Sequence, residues 1–224
     1  DQLGKSKLKR IVVSGLEEAL PLMKRMAFTT MKKKDIAEIP RDDKHVQFKD
    51  LLENEDKELN VIIHPEDDIA LLQYTGGTTG VPKGTVLTHM NLYANTVQCR
   101  HWFTGLVEGE ERFIGCLPFF HVFAMTAIMN TAIFTGSEII LHPRFDLKMV
   151  LGDIHKKRPT LMPGVPTMYS AMLNHKQLNH YDLTSLKMCI SGGAPLPLEV
   201  KQKFEHLTGC KLVEGYGLSE CASV

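Results

Sequence analysis

The stretch YTGGTTGVPKG, which runs from Tyr74 to Gly84, has the composition of a loop that binds phosphate. Its glycines let backbone N–H groups approach an anion closely, because no Cβ atom stands in the way. Its threonines add hydroxyl donors, and Lys83 adds a mobile ammonium group that can reach a terminal phosphate. Apolar runs on either side predict two strands, Ala70–Tyr74 and Val86–Leu87. The predicted phosphate-binding residues are Thr75, Gly76, Gly77, Thr78, Thr79, Gly80 and Lys83.

Two other interpretations of this stretch are less favoured. The first is a plain glycine-rich hairpin, but such a turn has no use for threonines and a lysine at these offsets. The second is the G-x-x-x-x-G-K-[ST] loop of kinases and GTPases. That pattern fails on spacing, because Val81 and Pro82 separate Gly80 from Lys83 and Gly84 stands where the hydroxyl is required.

Composition excludes several classes of function. Lys and Arg together number 26, as do Asp and Glu, so charge does not indicate a nucleic-acid partner. The basic runs 5–10 and 32–34 are expected to be solvated, with a peripheral role at the inner membrane surface as the minority interpretation. The longest apolar stretch, 122–134, is too short to span a bilayer, and no signal peptide is evident. We therefore expect a cytoplasmic protein.

The cysteines and histidines do not predict a metal site. Five cysteines are widely spaced and mostly lie in apolar runs, which is typical of reduced core thiols in a cytosolic protein. Ten histidines show none of the spacings of zinc ligands.

The order of apolar segments predicts an α/β fold. Strands alternate with helices from Arg112 to Glu214, which implies parallel βαβ units covered by helices on both faces. We expect one lobe over 1–104, which carries the phosphate loop, and a second over 105–224. In the first lobe, Ser14 and Glu17 suggest a capping box, and Thr88 is predicted to cap a helix that buries Trp102. In the second, Pro197 fits the first position of a helix over 198–207.

Three further motifs follow predicted strands. The segment 118–125 (PFFHVFAM) lies between a strand and a helix, where α/β folds bind ligands, although alone it is better explained as aromatic core. The segment 191–196 (SGGAPL) offers a flat backbone surface to a ring or an acyl chain, or is a simple turn. In the segment 214–220 (EGYGLSE), the tyrosine can face a purine and Glu220 can hold Mg²⁺, or both are ordinary turn residues.

Together the four motifs resemble, in order, the signatures of the adenylate-forming enzymes, which include acyl-CoA ligases, peptide-synthetase adenylation domains and luciferases. The resemblance extends from Tyr74 to Glu220, about two thirds of the chain. It implies a fold that is part of the large N-terminal domain of acyl-CoA synthetases. The implied catalytic residues are Thr78, Lys83, His121 and Glu220, of which Thr78 and Glu220 would hold Mg²⁺. The implied nucleotide-binding residues are Thr75, Gly76, Gly77, Thr79, Gly80, Gly192, Gly193, Ala194, Glu214, Gly215, Tyr216, Gly217 and Ser219. The implied acid-binding residues are His121, Met125, Gly164, Val165 and Gly193.

Residues of the segments 118–125 and 214–220 favour a fatty acid as substrate. Amino-acid-activating members usually carry an aspartate in a short F-D motif at the second segment and a proline in place of Leu218. This chain has Phe119-Phe120-His121 and Leu218, and it resembles bacterial long-chain fatty-acid-CoA ligases most closely. The resemblance implies that fatty acid, ATP and coenzyme A are the small-molecule partners. Some members carry a tryptophan gate where this chain has Met125, so gating is left open.

Two alternatives remain at this point: an adenylating domain that delivers its acyl group to a carrier protein, and a non-catalytic nucleotide-binding module on the same scaffold. Family members continue beyond the last motif with a small C-terminal domain that carries a catalytic lysine. We therefore expect this sequence to be part of a longer protein, to bind nucleotide weakly and not to turn over. Acyl chain length and oligomeric state are not predicted.

Overall fold

The structure is a computed structural model that describes residue 3 and residues 5–31, 36–40, 42–53, 60–75, 80 and 82–223. The chain forms two compact units, Asp1–Ile62 and Ile63–Val224. In the first, strands β1 (Ile11–Val13) and β2 (His45–Gln47) pair in parallel. A 3₁₀ turn (Leu16–Ala19) and the helices α1 (Leu22–Met31) and α2 (Phe48–Leu52) accompany them.

Two local predictions concern the first unit, the capping box at Ser14 and the exposure of the basic runs. The predicted capping box is wrong: Gly15, not Ser14, is the residue that precedes the 3₁₀ turn, and no side chain caps the turn. The turn begins one residue later than the pattern requires, so the Ser14 and Glu17 side chains are out of register with it. The basic residues 5–10 are exposed, as expected, whereas the second basic run, 32–34, lies outside the described residues.

The second unit begins with a hairpin, and the stretch predicted to bind phosphate connects its strands in the sequence. Strands β3 (Ile69–Thr75) and β4 (Lys83–Thr88) are antiparallel, and Thr75 pairs with Lys83 at the end of the ladder. Helix α3 (His89–Trp102) follows, and Thr88 and Asn91 form a reciprocal capping box at its start, which confirms Thr88 as the cap. The expected burial of Trp102 is wrong, because this residue is 82% exposed and Phe103 enters the core instead.

A five-stranded parallel sheet forms the body of the second unit and confirms the predicted fold class. The strand order is β6-β5-β7-β8-β9. The strands are β5 (Arg112–Gly115), β6 (Glu138–Leu141), β7 (Leu161–Gly164), β8 (Met188–Ser191) and β9 (Lys211–Glu214). The helices are α4 (Val122–Ala124), a π-helical segment (Met125–Asn130), α5 (Thr131–Phe134), α6 (Leu147–Lys157), α7 (Pro166–Leu173) and α8 (Leu198–Thr208).

Helices cover both faces of this sheet. Neighbouring strand residues point to opposite faces, and Ile114 and Phe113 accordingly belong to different core clusters. One cluster contains residues of α6, α7 and α8, and the other contains residues of α3 and of 122–134. The expected lobe boundary at 104/105 lies inside the second unit, where Phe103 and Leu106 share the second cluster. The division into lobes stays a prediction about the longer fold.

Two helices of the second unit differ in detail from the prediction. The helix over 122–134 is present, but its middle, Met125–Asn130, is π-helical. Pro197 is the extended residue that precedes α8, one position before the first helical position that was expected for it. Within the described residues, no helix has both the length and the apolar character needed to cross a membrane.

The cysteines of the second unit largely agree with the expectation of core thiols. None of the five cysteines forms a disulfide, and four of them are buried. The exception is Cys221, which is exposed.

Candidate active site

The carboxyl ends of the parallel strands bring three of the predicted motifs to one edge of the sheet. The loop after β5 leads to His121, β8 runs into Gly192 and Gly193, and β9 runs into Gly215. Backbone hydrogen bonds continue the pairing past the strands: Gly192 N donates to Gly164 O (3.0 Å), and Gly215 N donates to Ser191 O (2.8 Å). Glycines at these ends leave space beside the backbone, because they carry no side chains where the loops begin.

A cavity of about 330 Å³ lies at this edge. It joins the end of β3 to the loops that follow β5, β8 and β9, so all four motifs of the sequence contribute to its wall. The residues that line it are Thr75, His121, Val122, Phe123, Gly192, Gly193, Gly215, Gly217, Leu218, Ser219, Glu220 and Ser223.

His121 is held by the helix that it precedes. Its Nδ1 accepts a hydrogen bond from Phe123 N (3.3 Å), so the imidazole acts as the N-cap of α4. Accepting at Nδ1 requires that the proton of the neutral ring is on Nε2. His121 is exposed and lines the cavity, and Nε2–H is therefore the donor that the ring can offer to a ligand oxygen.

The Phe123 ring disfavours a side chain at position 192. A Cβ atom at position 192 would lie 3.0 Å from Phe123 Cζ and 3.1 Å from Cε1, which is closer than unstrained contact. Phe123 is only 9% exposed and has little room to withdraw. Gly193 has a φ of 78°, in the left-handed region that residues with a Cβ atom rarely adopt. This pair therefore forms a bare backbone surface beside an aromatic ring.

Glu220 supplies the carboxylate of the cavity. It lies in a short 3₁₀ turn, Ser219–Cys221, and among the described lining residues it is the only acid. Thr75 and Ser219, which carry hydroxyl groups, belong to the same wall. Mg²⁺ prefers oxygen ligands and is commonly held by one or two carboxylates together with substrate phosphates. Across the described part of the chain, no three His, Cys, Asp or Glu side chains are grouped to hold a metal unaided. The wall therefore fits a cation that arrives with a phosphate.

Several predicted site residues lie outside the described residues or outside the cavity wall. Gly76, Gly77, Thr78 and Thr79 fall among the residues that the structure does not describe. The predicted residues that are described but do not line the cavity are Gly80, Lys83, Met125, Gly164, Val165, Ala194, Glu214 and Tyr216.

Three of these residues have informative surroundings. Glu214 Oε1 accepts a hydrogen bond from Leu196 N (3.0 Å), so its carboxylate ties the 191–196 loop to the end of β9. Tyr216 is 80% exposed. Gly164 lies against Tyr169, whose hydroxyl oxygen would be 3.0 Å from a Cβ atom there. Gly164 and Glu214 thus support the loops that form the wall.

Four lining residues were not predicted from the sequence: Val122, Phe123, Leu218 and Ser223. The first three lie inside the quoted motifs, so their positions were available as a signal. Ser223 is three residues beyond the last motif, and nothing in its local sequence marks it. It is buried, and its Oγ has no hydrogen-bond partner among the described residues.

Comparison with known proteins gives a consistent result. The profile of the AMP-binding enzyme family matches residues 1–224. A long-chain-fatty-acid–CoA ligase of Bacillus subtilis is 49% identical over 218 residues, which are 96% of this chain and 39% of that protein. A feruloyl-CoA synthase of an Amycolatopsis species is 39% identical over 160 residues, 70% of this chain and 31% of that protein. The crystal structure of a long-chain-fatty-acid-CoA ligase from Archaeoglobus fulgidus has a TM-score of 0.71 at 26% identity, and the match covers 96% of this chain and 44% of that one.

The chain thus spans 39% of the length of its Bacillus relative, and it matches that part over almost all of its own length. The family profile, the relatives and the fold point to the same class of enzyme, and the motifs meet at one cavity. This chain belongs to the AMP-binding enzymes, the adenylate-forming family that includes the acyl-CoA ligases.

Proposed function

We propose that this chain carries the acid-activating site of a long-chain fatty-acid-CoA ligase. The site would join a fatty acid to ATP to form an acyl-adenylate, and the whole protein would pass the acyl group to coenzyme A. The observation that carries the proposal is the single cavity shared by Thr75, His121, Gly192, Gly193 and Glu220. The name of the Bacillus relative, which is 49% identical, supports a long-chain acid as the substrate.

The chemistry requires alignment and charge neutralisation more than a strong base. A fatty acid is already ionised near neutral pH, so its carboxylate oxygen can attack the α-phosphorus directly. The bond from that phosphorus to the bridging oxygen breaks, and pyrophosphate leaves with the electron pair. The Nε2–H of His121 is suited to orient the attacking carboxylate, because Nδ1 is already engaged with Phe123 N. Residues 75–80 and Lys83 would hold the leaving phosphates.

Mg²⁺ bound with the nucleotide would offset the charge of the departing phosphates. Glu220 would provide one of its ligands and Thr78 another. The Ser219 hydroxyl, beside Glu220 in the cavity wall, is suited to a phosphate oxygen. Tyr216, on the exposed part of the same loop, would stack on the adenine.

The cavity wall is better suited to an apolar acid than to an amino acid. Val122, Phe123 and Leu218 are apolar, and the one acid among the described lining residues is Glu220, which the metal would occupy. An amino acid would need a second carboxylate for its ammonium group. We propose that Met125, Gly164 and Val165, which do not line the cavity themselves, shape its acyl-binding side.

Calorimetric titration of the 224-residue protein with ATP, with and without Mg²⁺, tests the proposal. Glu220→Gln should reduce the affinity gained from Mg²⁺ by about tenfold, because a neutral amide is a weak ligand for a hard cation. Glu199→Gln is the matched control, since Glu199 is an exposed helix residue that pairs with Lys203. A wild-type protein without any Mg²⁺-dependent gain, or two variants that behave alike, would contradict the proposal.

A second titration tests the class of acid. Non-hydrolysable adenosine sulfamates that carry palmitoyl and phenylalanyl groups are compared on the wild-type protein. We expect tighter binding of the palmitoyl compound, because the described wall lacks a second carboxylate. Preference for the phenylalanyl compound would point to an amino-acid-activating domain. In the longer protein, coenzyme A and a carrier protein can then be compared as acyl acceptors, which separates the ligase from the carrier-dependent alternative.

A further inference from the structure

Thr126 differs from every other buried threonine in the described part of the chain. Thr126 donates its hydroxyl hydrogen to Ala222 O, at 2.8 Å, across 96 residues of sequence. Its side chain is fully buried, so this hydrogen bond is shielded from solvent. The other buried threonines donate to a carbonyl within their own helical segment; they are Thr96, Thr131, Thr135 and Thr208.

The exception coincides with the π-helical segment of this helix. Thr126 lies in Met125–Asn130, and the carbonyl of Thr126 accepts the Thr131 hydroxyl, five residues along, at 2.7 Å. Such a segment interrupts the regular α-helical bonding, in which a threonine hydroxyl turns back to the carbonyl four residues earlier. Thr126 directs its hydroxyl away from its own helix and toward the turn that carries Glu220.

The acceptor belongs to a turn that has little support of its own. The 3₁₀ turn Ser219–Cys221 is three residues long, and Ala222, which ends it, has a φ of 61° in the left-handed region. This conformation costs a residue with a Cβ atom about 1 kcal/mol and persists only when the surroundings impose it. Two backbone bonds hold the turn internally, Cys221 N to Leu218 O (3.0 Å) and Ala222 N to Ser219 O (3.3 Å).

Packing connects the same turn to two other parts of the site. Ala222 is 1% exposed and shares a small core cluster with Leu87 of β4 and Val122 of α4. Leu87 belongs to the hairpin that carries the phosphate-binding stretch, and Val122 lines the cavity beside His121. The Thr126 hydroxyl thus adds a directional bond to a junction of elements that carry or adjoin three of the motifs.

We propose that Thr126 is a positioning residue, which holds the Ala222 carbonyl and thereby sets Glu220 where it can bind a cation on the nucleotide phosphates. Thr126 does not touch ligand itself. This inference rests on the proposed function for the role of Glu220, but the placement of the turn by Thr126 can be measured without any ligand.

Three variants test the inference. Thr126→Val keeps the shape of the side chain and removes the hydroxyl, whereas Thr126→Ser keeps the hydroxyl. Thr135→Val is the matched control, because Thr135 is also buried, at the end of the same helix, and its hydroxyl contacts Thr131 O and Ser137 Oγ. All three are first compared with the wild-type protein by amide hydrogen exchange over residues 219–223.

We expect exchange at Cys221 and Ala222 to become about fivefold faster in Thr126→Val, as the loss of one buried hydrogen bond predicts. Thr126→Ser and Thr135→Val should stay within about twofold of wild type at these amides. Equal exchange in Thr126→Val and Thr135→Val would overturn the proposal. A uniform increase throughout the second unit would also overturn it, because that result would mean a general loss of packing.

The second readout is ATP affinity with and without Mg²⁺. The gain from Mg²⁺ should fall about fivefold in Thr126→Val, recover in Thr126→Ser and stay unchanged in Thr135→Val, while affinity without Mg²⁺ is equal in all of them. An unchanged gain in Thr126→Val would overturn the positioning role. If the wild-type protein shows no gain at all, the proposed function fails, and the exchange experiment alone decides whether Thr126 fixes the turn.

Discussion

The two edges of the five-stranded sheet, at the amino ends and the carboxyl ends of its strands, are built in opposite ways. At the amino edge, side chains connect elements that are distant in sequence. The buried Glu111 carboxylate pairs with Lys187 Nζ (2.9 Å) and accepts a hydrogen bond from Val107 N (3.0 Å). The Arg112 guanidinium donates to Lys157 O at 2.8 Å. At the carboxyl edge, by contrast, β7, β8 and β9 end at or run into glycines, and backbone hydrogen bonds join the loops.

The difference indicates which edge maintains the fold and which is free for ligands. Charged groups at the amino edge pair with other elements, although Glu111 Oε2 is buried without a hydrogen-bond partner among the described residues, so that edge contributes mainly to stability. Groups at the carboxyl edge are available: the His121 ring has one engaged nitrogen, and Glu220 lies in the cavity wall. Substitutions at the first edge should change stability with little effect on binding, and those at the second should affect binding.

The largest effect on stability is expected from Glu111→Ala. The change removes the acceptor for Lys187 Nζ and Val107 N and leaves an unfilled space, so the free energy of unfolding should fall by about 2–3 kcal/mol. Urea unfolding measures the change. Glu138→Gln at the same edge is the control, because its pair with Arg112 is exposed and should contribute less than about 0.5 kcal/mol. Equal losses of unfolding free energy in Glu111→Ala and Glu138→Gln would show that the buried and the exposed carboxylate of this edge contribute equally to stability.

A smaller loss of stability, joined to a loss of binding, is expected from Gly192→Ala at the carboxyl edge. The new methyl group would press on Phe123, at a cost of about 1–2 kcal/mol, and would weaken binding of the palmitoyl adenosine sulfamate by about tenfold. The measurements are urea unfolding and calorimetry.

Gly152→Ala is the control for this prediction. Gly152 lies inside α6, and no atom lies within 4 Å of the added Cβ, so stability should rise by about 0.5–1 kcal/mol and binding should not change. Binding that survives Gly192→Ala unaltered would show that the bare backbone surface is not part of the ligand site.

The smallest effect is a pH dependence at the end of β6. His142 is buried with its Nε2 3.2 Å from Asp153 Oδ2, and burial lowers the pKa of His142 below its ordinary value of 6.5, although Asp153 opposes the shift. Just below pH 6.5 the unfolded chain then binds more protons than the folded chain, so the free energy of unfolding decreases as the pH falls. His142→Gln should remove this part of the slope in urea unfolding at a series of pH values.

The exposed His180 provides the control, because His180→Gln should leave the slope unchanged. A slope that is the same in wild type and in His142→Gln would assign the pH dependence to other groups. In that case the carboxyl edge would differ from the amino edge only in its accessibility to ligands, and His142 would add no pH-dependent contribution to stability there.

Much of this fold could be predicted because apolar segments separate its strands and helices clearly. Their alternation predicted the parallel sheet, and the rule that ligands bind at the carboxyl ends of parallel strands predicted which loops meet. The π-helical segment was not predictable, because residues 122–134 are apolar on most sides and their pattern does not reveal one extra residue in a turn. Trp102 lies at the end of α3, where a change of direction at Phe103 decides which ring is buried.

In the site, too, residues marked by a local motif were predictable, whereas roles that depend on contacts distant in sequence were not. His121 and the glycines at 192 and 193 were predicted from motifs, and each lines the cavity. Glu214 has the same chemistry as a ligand carboxylate, and only the position of Leu196 N reveals that it holds a loop. The bond from Thr126 to Ala222 joins residues 96 positions apart, so no local pattern could have predicted it.

The distribution of the cysteines gives this protein a built-in place for a reporter group. Burial raises the pKa of Cys99 to about 11 and that of Cys116 to about 12, so these thiols remain protonated and unreactive at neutral pH. Cys189 and Cys210 are buried as well, which leaves Cys221 as the exposed thiol. Because Cys221 directly follows Glu220, a fluorophore attached there by maleimide chemistry would lie beside the turn that is proposed to bind the nucleotide, without any engineered mutation. Its emission would follow movements of that turn in real time.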